Sequence, residues 1–228
     1  MFFGYDSGSF LLLIPAMILA MYAQNKVRAT YSRYSQRPAS AGITGADVAR
    51  ALLSRAGLGN VRVELAQGTL TDHYDPRQSV LRLSHDNYAR SSIASVAIAA
   101  HEVGHAVQHA TGYAALAFRN GMVPVVNLTS TLAWPLFFLG LIMAQPALLD
   151  LGILLFVGAV LFQVVTLPVE LNASNRAIAL LQDGGYIRGG EVTGAREMLS
   201  AAALTYIAAM AVAVAQLLRM LMIRGRRR

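Results

Sequence analysis

The middle of the chain carries, at residues 93–110, the run IASVAIAAHEVGHAVQHA. Its first eight residues are apolar or small, which is typical of a helix buried in a protein core. His101 and His105 follow at a spacing of four, so a helix places both imidazoles on one face, about one turn apart. Glu102 lies beside them. This HExxH pattern predicts a helix that offers two ligands and a general base to one tetrahedral zinc ion.

The composition indicates an integral membrane protein. Of the 228 residues, 55% are hydrophobic and only 14% are charged, whereas soluble domains carry about 25% charged residues. The net charge is +7, but several arginines flank apolar stretches, as in membrane proteins, so a nucleic-acid partner is disfavoured. Cysteine is missing from the sequence. Disulfides are therefore excluded, and any zinc must be held by histidine and carboxylate ligands.

Four apolar stretches approach the roughly 20 residues that a membrane-spanning helix needs. They cover residues 7–23, 122–143, 147–169 and 198–218. Lys26, Arg28 and Arg33 follow the first stretch, which favours an uncleaved anchor with its N-terminus outside and a cytoplasmic segment after it. The last stretch either crosses the membrane or lies in the interface, because a crossing would place the basic tail outside.

The predicted fold class is a mainly α membrane protein, with about four transmembrane helices and a small α+β zincin-like catalytic domain. Within that domain, a helix capped by Thr44 and ended by Gly57 precedes strands near residues 61–65 and 80–83. The HExxH helix then begins at Ser91 or Ser92 and ends at Gly112. The predicted segments are an anchor (1–25), a cytoplasmic zincin-like region (26–121), a transmembrane hairpin (122–169), a third-ligand helix and loop (170–197), and a C-terminal transmembrane or interfacial helix with a basic tail (198–228).

A catalytic zinc site needs a third protein ligand. Glu170 directly follows the third apolar stretch, and an ionisable group at that position is a functional candidate. Small residues at positions 173, 174 and 177 would let its helix pack close to the HExxH helix. His109 lies a further turn along the HExxH helix, too far to converge on the same ion as His101. Alternatives for the third ligand are Asp183, Glu191 and Glu197, and Glu170 could instead simply end the span at the headgroups.

A second polar cluster, DHYD at residues 72–75, precedes Pro76. His73 or Tyr74 could stabilise the oxyanion that develops on a scissile carbonyl; equally, the cluster could form a turn capped by Asp75. Arg176 could contact the tetrahedral intermediate or a lipid headgroup. An extended substrate is expected along an edge strand, for which Val80–Leu83 is the preferred candidate.

The segment HEVGHAVQ at residues 101–108 resembles the YugP-like family of bacterial membrane-bound neutral zinc metallopeptidases. TDHYDPR at 71–77, VLRLS at 80–84 and LPVELNAS at 167–174 strengthen the resemblance. It implies a gluzincin-like peptidase with one zinc ion per chain, held by His101, His105 and Glu170. It also implies distant similarity to HtpX-type proteases, in which an Asp four residues after the ligand Glu braces a zinc histidine. Ser174 stands there in this chain, which makes Asn172 and Asn175 the candidate substitutes.

The predicted function is a membrane-embedded zinc-dependent endopeptidase in which Glu102 is the general base for a zinc-activated water. The expected partners are a peptide or membrane-protein substrate and the lipid bilayer. The expected location is the bacterial inner membrane, with the active site facing the cytoplasm. The alternative is a non-catalytic zinc-binding or regulatory membrane protein, which would tolerate Glu102→Gln. A membrane scaffold with a coincidental motif would bind no stoichiometric zinc.

Overall fold

The computed structural model of the chain describes residues 7–226, with residues 7 and 8 as backbone only. The start of the predicted anchor, residues 1–6, and the last two residues of the basic tail lie outside this range. Of the described residues, 74% are helical. Its elements, in order, are α1 (Ser7–Phe10), α2 (Leu13–Ser35), α3 (Gly45–Arg55), β1 (Arg62–Ala66), β2 (His73–Asp75), β3 (Val80–Ser84), α4 (His85–Ala89), α5 (Ile93–Ala110), α6 (Ala114–Ile142), α7 (Pro146–Asp183) and α8 (Gly190–Gly225).

The chain divides into two compact units. One, called here the mixed unit, consists of Asn25–Leu116 and Val169–Ala203 and contains the sheet together with α3, α4 and α5. The other, called the apolar unit, consists of the described residues up to Gln24, Ala117–Pro168 and the residues from Leu204 onward.

Helices α3 and α5 of the mixed unit begin and end where their capping residues predict. The Thr44 side chain accepts a hydrogen bond of 3.1 Å from the Asp47 backbone at the start of α3. Ser92 forms a capping box with Ser95 at the start of α5. Gly57 and Gly112, just past the ends of α3 and α5, have φ values of +73° and +64°, a conformation that glycine adopts without steric cost. These predicted boundaries are confirmed.

The sheet of the mixed unit has the strand order β1-β3-β2. β3 pairs in parallel with β1 and antiparallel with β2, and Val80, Leu81 and Leu83 are fully buried. The prediction that Val80–Leu83 is an edge strand is therefore wrong, because both of its edges are paired. The three-residue strand β2, which covers one of those edges, is too short to show a recognisable alternation of polar and apolar residues.

Three helices in the described part of the chain are long and apolar enough to cross a membrane: α6, α7 and α8. α2, which overlaps the first predicted span, is not among them, because its apolar part ends at Ala23 and a polar half follows. The four-span arrangement thus stays a prediction. Within the predicted hairpin, α6 ends at Ile142 and α7 begins at Pro146, so only residues 143–145 separate the two helices.

An ion pair connects two helices within the apolar unit. Arg224, near the end of α8, donates two hydrogen bonds of 2.6 Å to the carboxylate of Asp150, near the start of α7. Two parallel N–H···O bonds of this kind are the strongest arrangement available to arginine and a carboxylate. The C-terminal end of α8 therefore lies beside the turn that joins α6 and α7.

Candidate metal centre

α5 is the helix that carries the HExxH residues. It is buried along most of its length, and Glu102 is only 7% exposed. The side chains of His101 and His105 are 15% and 12% exposed. The helix thus holds both imidazoles where little of either ring is exposed to solvent. A buried carboxylate lies next to them in the sequence.

The start of the α7 segment in the mixed unit supplies the third side chain. The Nε2 atoms of His101 and His105 lie 3.3 Å and 3.4 Å from the same oxygen, Oε2 of Glu170. One potential ligand atom from each residue lies within 4.8 Å of the other two. The structure therefore brings together the three side chains that the sequence predicts as metal ligands.

The alternative ligands lie outside this group. The carboxylate of Glu191 accepts hydrogen bonds from the backbone and hydroxyl of Ser40, and that of Glu197 accepts one from the Tyr34 hydroxyl. His109 Nδ1 lies 3.0 Å from the Tyr74 hydroxyl. Glu191 and Glu197 thus hold other parts of the mixed unit together.

Close packing of two backbones allows Glu170 to reach the histidines. A Cβ atom placed on Gly104 would lie 2.6 Å from the backbone oxygen of Ala173. Ala173 and Ala177, on the facing side of α7, are completely buried. The prediction that small residues let the two helices approach is confirmed, and the glycine within the HExxH motif is the residue that makes the contact possible.

The spacing and chemistry of the three side chains fit a zinc ion. Tetrahedral geometry with bonds of about 2.0–2.1 Å separates two ligand atoms by roughly 3.3–3.4 Å. The two observed nitrogen–oxygen distances, 3.3 Å and 3.4 Å, have this value. Two histidines with one carboxylate are also a donor set of catalytic zinc sites, which leave the fourth position open.

The electrostatics of the cluster favour a positive charge at its centre. Burial raises the pKa of Glu102 above its usual range, and the charges of His101 and His105 oppose this rise only in part. Burial acts to lower the pKa of His105, but the hydrogen bond to Glu170 and the negative charges of Glu102 and Glu170 raise it overall. Carboxylates and imidazole lone pairs that converge in a buried place require a proton or a metal ion between them.

The far nitrogens of both imidazoles have partners, neither of which was predicted. Ser174 Oγ lies 3.2 Å from Nδ1 of His101, and Gln108 Oε1 lies 3.0 Å from Nδ1 of His105. Of the two predicted substitutes for the bracing Asp, Asn172 contacts Gln108 rather than a histidine, and Asn175 is exposed. A signal for Gln108 existed in its spacing, since residues three apart on a helix are neighbours.

The DHYD cluster serves several structural purposes. Asp75 Oδ1 accepts hydrogen bonds from the backbone of Arg77 and Gln78, as expected for a capped turn. His73 is exposed, and its Nδ1 lies 2.8 Å from the Thr71 carbonyl oxygen. Tyr74 contacts His109, and Asp72 contacts Ser84 and Asn87. Asp75 also forms an ion pair with Arg82 at 3.8 Å.

The predicted contact residue Arg176 lies one turn from Asn172 on α7. Its Nε donates a hydrogen bond of 2.8 Å to Asn172 Oδ1. Since Asn172 in turn contacts Gln108, Arg176 is connected to the metal-binding helix through two amide side chains.

Comparison with known proteins gives the family. The model of a family described as "Putative neutral zinc metallopeptidase" matches residues 9–225. "Putative membrane protease YugP" from Bacillus subtilis (strain 168) is 49% identical over 212 residues, which are 93% of this chain and 94% of that protein. No solved structure matches the chain. The chain belongs to this family of neutral zinc metallopeptidases, and the resemblance read from its motifs is confirmed.

Proposed function

We propose that this chain is a membrane-embedded zinc endopeptidase, with His101, His105 and Glu170 as metal ligands and Glu102 as the general base. The observation that carries the proposal is the convergence of both histidine Nε2 atoms on one Glu170 oxygen at the spacing of a tetrahedral site. Membership of the metallopeptidase family supports the reaction class.

Each residue has a defined part in the reaction. A zinc ion held by the three ligands would supply a Lewis acid that polarises the peptide carbonyl and acidifies a water molecule. Glu102 accepts a proton from the attacking water on its carboxylate and then donates that proton to the departing amine nitrogen. Burial raises the pKa of Glu102 above its usual range, which makes its carboxylate a stronger base toward the proton of the water.

The substrate is best placed along β2 rather than β3. β2 is an edge of the sheet, and α5 packs against it. Within residues 7–226, its second edge has no strand paired to it. An extended peptide adds to such an edge through main-chain hydrogen bonds. His73 and Tyr74 would then contact the substrate as members of this strand, next to the metal-binding helix.

The mixed unit is proposed to lie in the cytoplasm, at the inner membrane of a bacterium. Lys26, Arg28 and Arg33 follow the first apolar stretch, and basic residues close to a span are retained on the cytoplasmic side. The Arg224–Asp150 ion pair supports a full crossing by α8, because it brings the end of that helix to the turn between α6 and α7. Substrates would then be membrane proteins or peptides on the cytoplasmic side.

Single cysteines test this orientation cleanly, since the natural sequence has none. Thr69→Cys, in an exposed loop of the mixed unit, is expected to resist a membrane-impermeant maleimide in intact cells and to react after permeabilisation. Gln145→Cys, in the exposed turn after α6, is expected to react in intact cells. The reverse labelling pattern would place the active site outside the cytoplasm.

Metal analysis tests the proposed function directly. The purified protein is expected to contain about one zinc ion per chain, in line with a three-ligand site. Chelation should abolish cleavage of a casein-type substrate, and added zinc should restore it. His101→Ala should lose both zinc and activity, whereas His85→Ala should keep both, because His85 is 77% exposed.

Two results would contradict the proposal. A wild-type protein without zinc would show that the three side chains do not form a zinc site. Cleavage that resists chelation would show that the reaction does not need the metal. Stoichiometric zinc without cleavage of any peptide would favour the non-catalytic, regulatory alternative.

A further inference from the structure

A chain of hydrogen bonds leads from Arg176 to the second metal-binding histidine. Arg176 Nε donates to Asn172 Oδ1 at 2.8 Å, and Gln108 Nε2 donates to the same oxygen at 2.9 Å. Gln108 Nε2 also donates to the backbone oxygen of Val169 at 2.8 Å. At its other end, Gln108 Oε1 lies 3.0 Å from His105 Nδ1. We call these four side chains the amide relay.

The direction of every bond in the amide relay follows from its two ends. A guanidinium group has only donors, so the Asn172 atom that faces Arg176 is its oxygen. A backbone carbonyl only accepts, so the Gln108 atom that faces Val169 is its nitrogen. The remaining Gln108 atom is an oxygen without a proton. His105 Nδ1 must therefore donate to it, which places a proton on Nδ1 and leaves Nε2, the atom that faces Glu170, as the nitrogen available to a metal ion.

We propose that the amide relay fixes His105 in the tautomer that binds metal. Gln108 is the positioning residue, because its side-chain oxygen accepts the hydrogen bond from His105 Nδ1. The inference rests on the proposed zinc site, since Nε2 is the atom that faces Glu170. A ligating histidine whose other nitrogen donates a hydrogen bond has a fixed ring and a more basic ligand atom.

Burial makes the relay rigid. Gln108 is fully buried, so its amide group cannot turn toward water. A reversed amide would point its oxygen at the Val169 carbonyl and at Asn172 Oδ1, which would leave three acceptors facing one another. Asn172 cannot reverse either, because its nitrogen would then face the guanidinium of Arg176.

The other histidine lacks such a constraint. The partner of His101 Nδ1 is the hydroxyl of Ser174, and a hydroxyl can donate or accept. Ser174 is therefore compatible with either tautomer of His101. The relay therefore fixes the tautomer of His105 and not that of His101. A change that only made the whole site more rigid would affect both histidines.

The test uses the full-length protein and zinc alone as the ligand, with Kd measured by competition with a chromophoric chelator. Gln108→Met has a similar length but lacks the acceptor, and it is expected to weaken zinc binding about 10- to 100-fold, as is typical for groups that orient ligands. The matched control is Asn175→Asp, because Asn175 is exposed and lies outside the amide relay. Its zinc Kd should equal that of wild type.

A second measurement reads the tautomer without metal or activity. The five histidines are labelled with ring ¹⁵N in metal-free protein at alkaline pH, and His105 is assigned by comparison with His105→Asn. Wild type and Asn175→Asp should show a proton on Nδ1, whereas Gln108→Met should show a mixture of both tautomers.

The outcomes separate the relay from the zinc site itself. Wild-type protein in which His105 Nδ1 carries no proton would overturn the relay, whether or not the variants fold. Equal zinc Kd values for wild type and Gln108→Met would also overturn it, since a residue that only fills space is replaced well by methionine. A wild-type protein that binds no zinc would contradict the proposed function instead. The ¹⁵N spectrum would still show which nitrogen of His105 carries the proton.

Discussion

Glu102→Gln is expected to reduce kcat/KM for peptide cleavage by about 10²- to 10⁴-fold, the usual contribution of a general base. Glutamine has nearly the shape of glutamate, but its amide cannot take a proton from water at neutral pH. Glu102 is not one of the three side chains that converge on the metal position. Zinc content should therefore stay at the wild-type value, and the two quantities are measured on the same preparation.

Glu64→Gln is the matched control for this variant. Glu64 lies on β1, where it pairs with Arg62 and Arg82, and partly exposed pairs of this kind contribute little stability. Cleavage by the control should equal that of wild type. Wild-type cleavage by Glu102→Gln would show that another group acts as the base, and loss of zinc from that variant would show that Glu102 helps to hold the metal.

Local features of the fold were predictable because they depend on few neighbouring residues. The caps at Thr44 and Ser92 bond to residues three positions away, and the spacing of the two histidines is a property of one helix. Such signals survive in a single sequence because the interacting residues are close along the chain. Strand β2 lacks a signal of this kind, since three residues do not establish a period.

The site itself was predictable only in part, because its completion depends on contacts between distant segments. The position of Glu170 after an apolar stretch, together with the family resemblance, pointed to the residue that the structure places beside His101 and His105. The function of Gln108 depends on which atoms of α7 face α5. The sequence alone does not show which atoms of two distant segments come into contact. A buried polar side chain next to a metal-binding motif is therefore a candidate for an orienting group.

Gly104→Ala is expected to disrupt the metal centre although the new methyl group touches no ligand. The added Cβ would lie 2.6 Å from the backbone oxygen, 3.2 Å from the carbonyl carbon and 3.3 Å from the Cα of Ala173. Ordinary contact requires a displacement of about 1 Å, and backbone atoms cannot rotate away. Gly104 lies between the two histidines, and Ala173 lies one turn from Glu170, so this displacement lengthens the distances that set the metal geometry.

The expected loss in kcat/KM is about 100-fold, the order of magnitude that a misplacement of 1 Å produces in an active site. Overpacking should also reduce the free energy of unfolding by about 1–3 kcal/mol, and zinc Kd should rise. Gly121→Ala is the control, because nothing lies within 4 Å of its added Cβ.

The double variant Gly104→Ala with Ala173→Gly should not recover, since the clash involves the backbone of residue 173 and not its side chain. Recovery of zinc binding and cleavage in that double variant would show that side-chain packing, rather than the approach of the two backbones, positions Glu170.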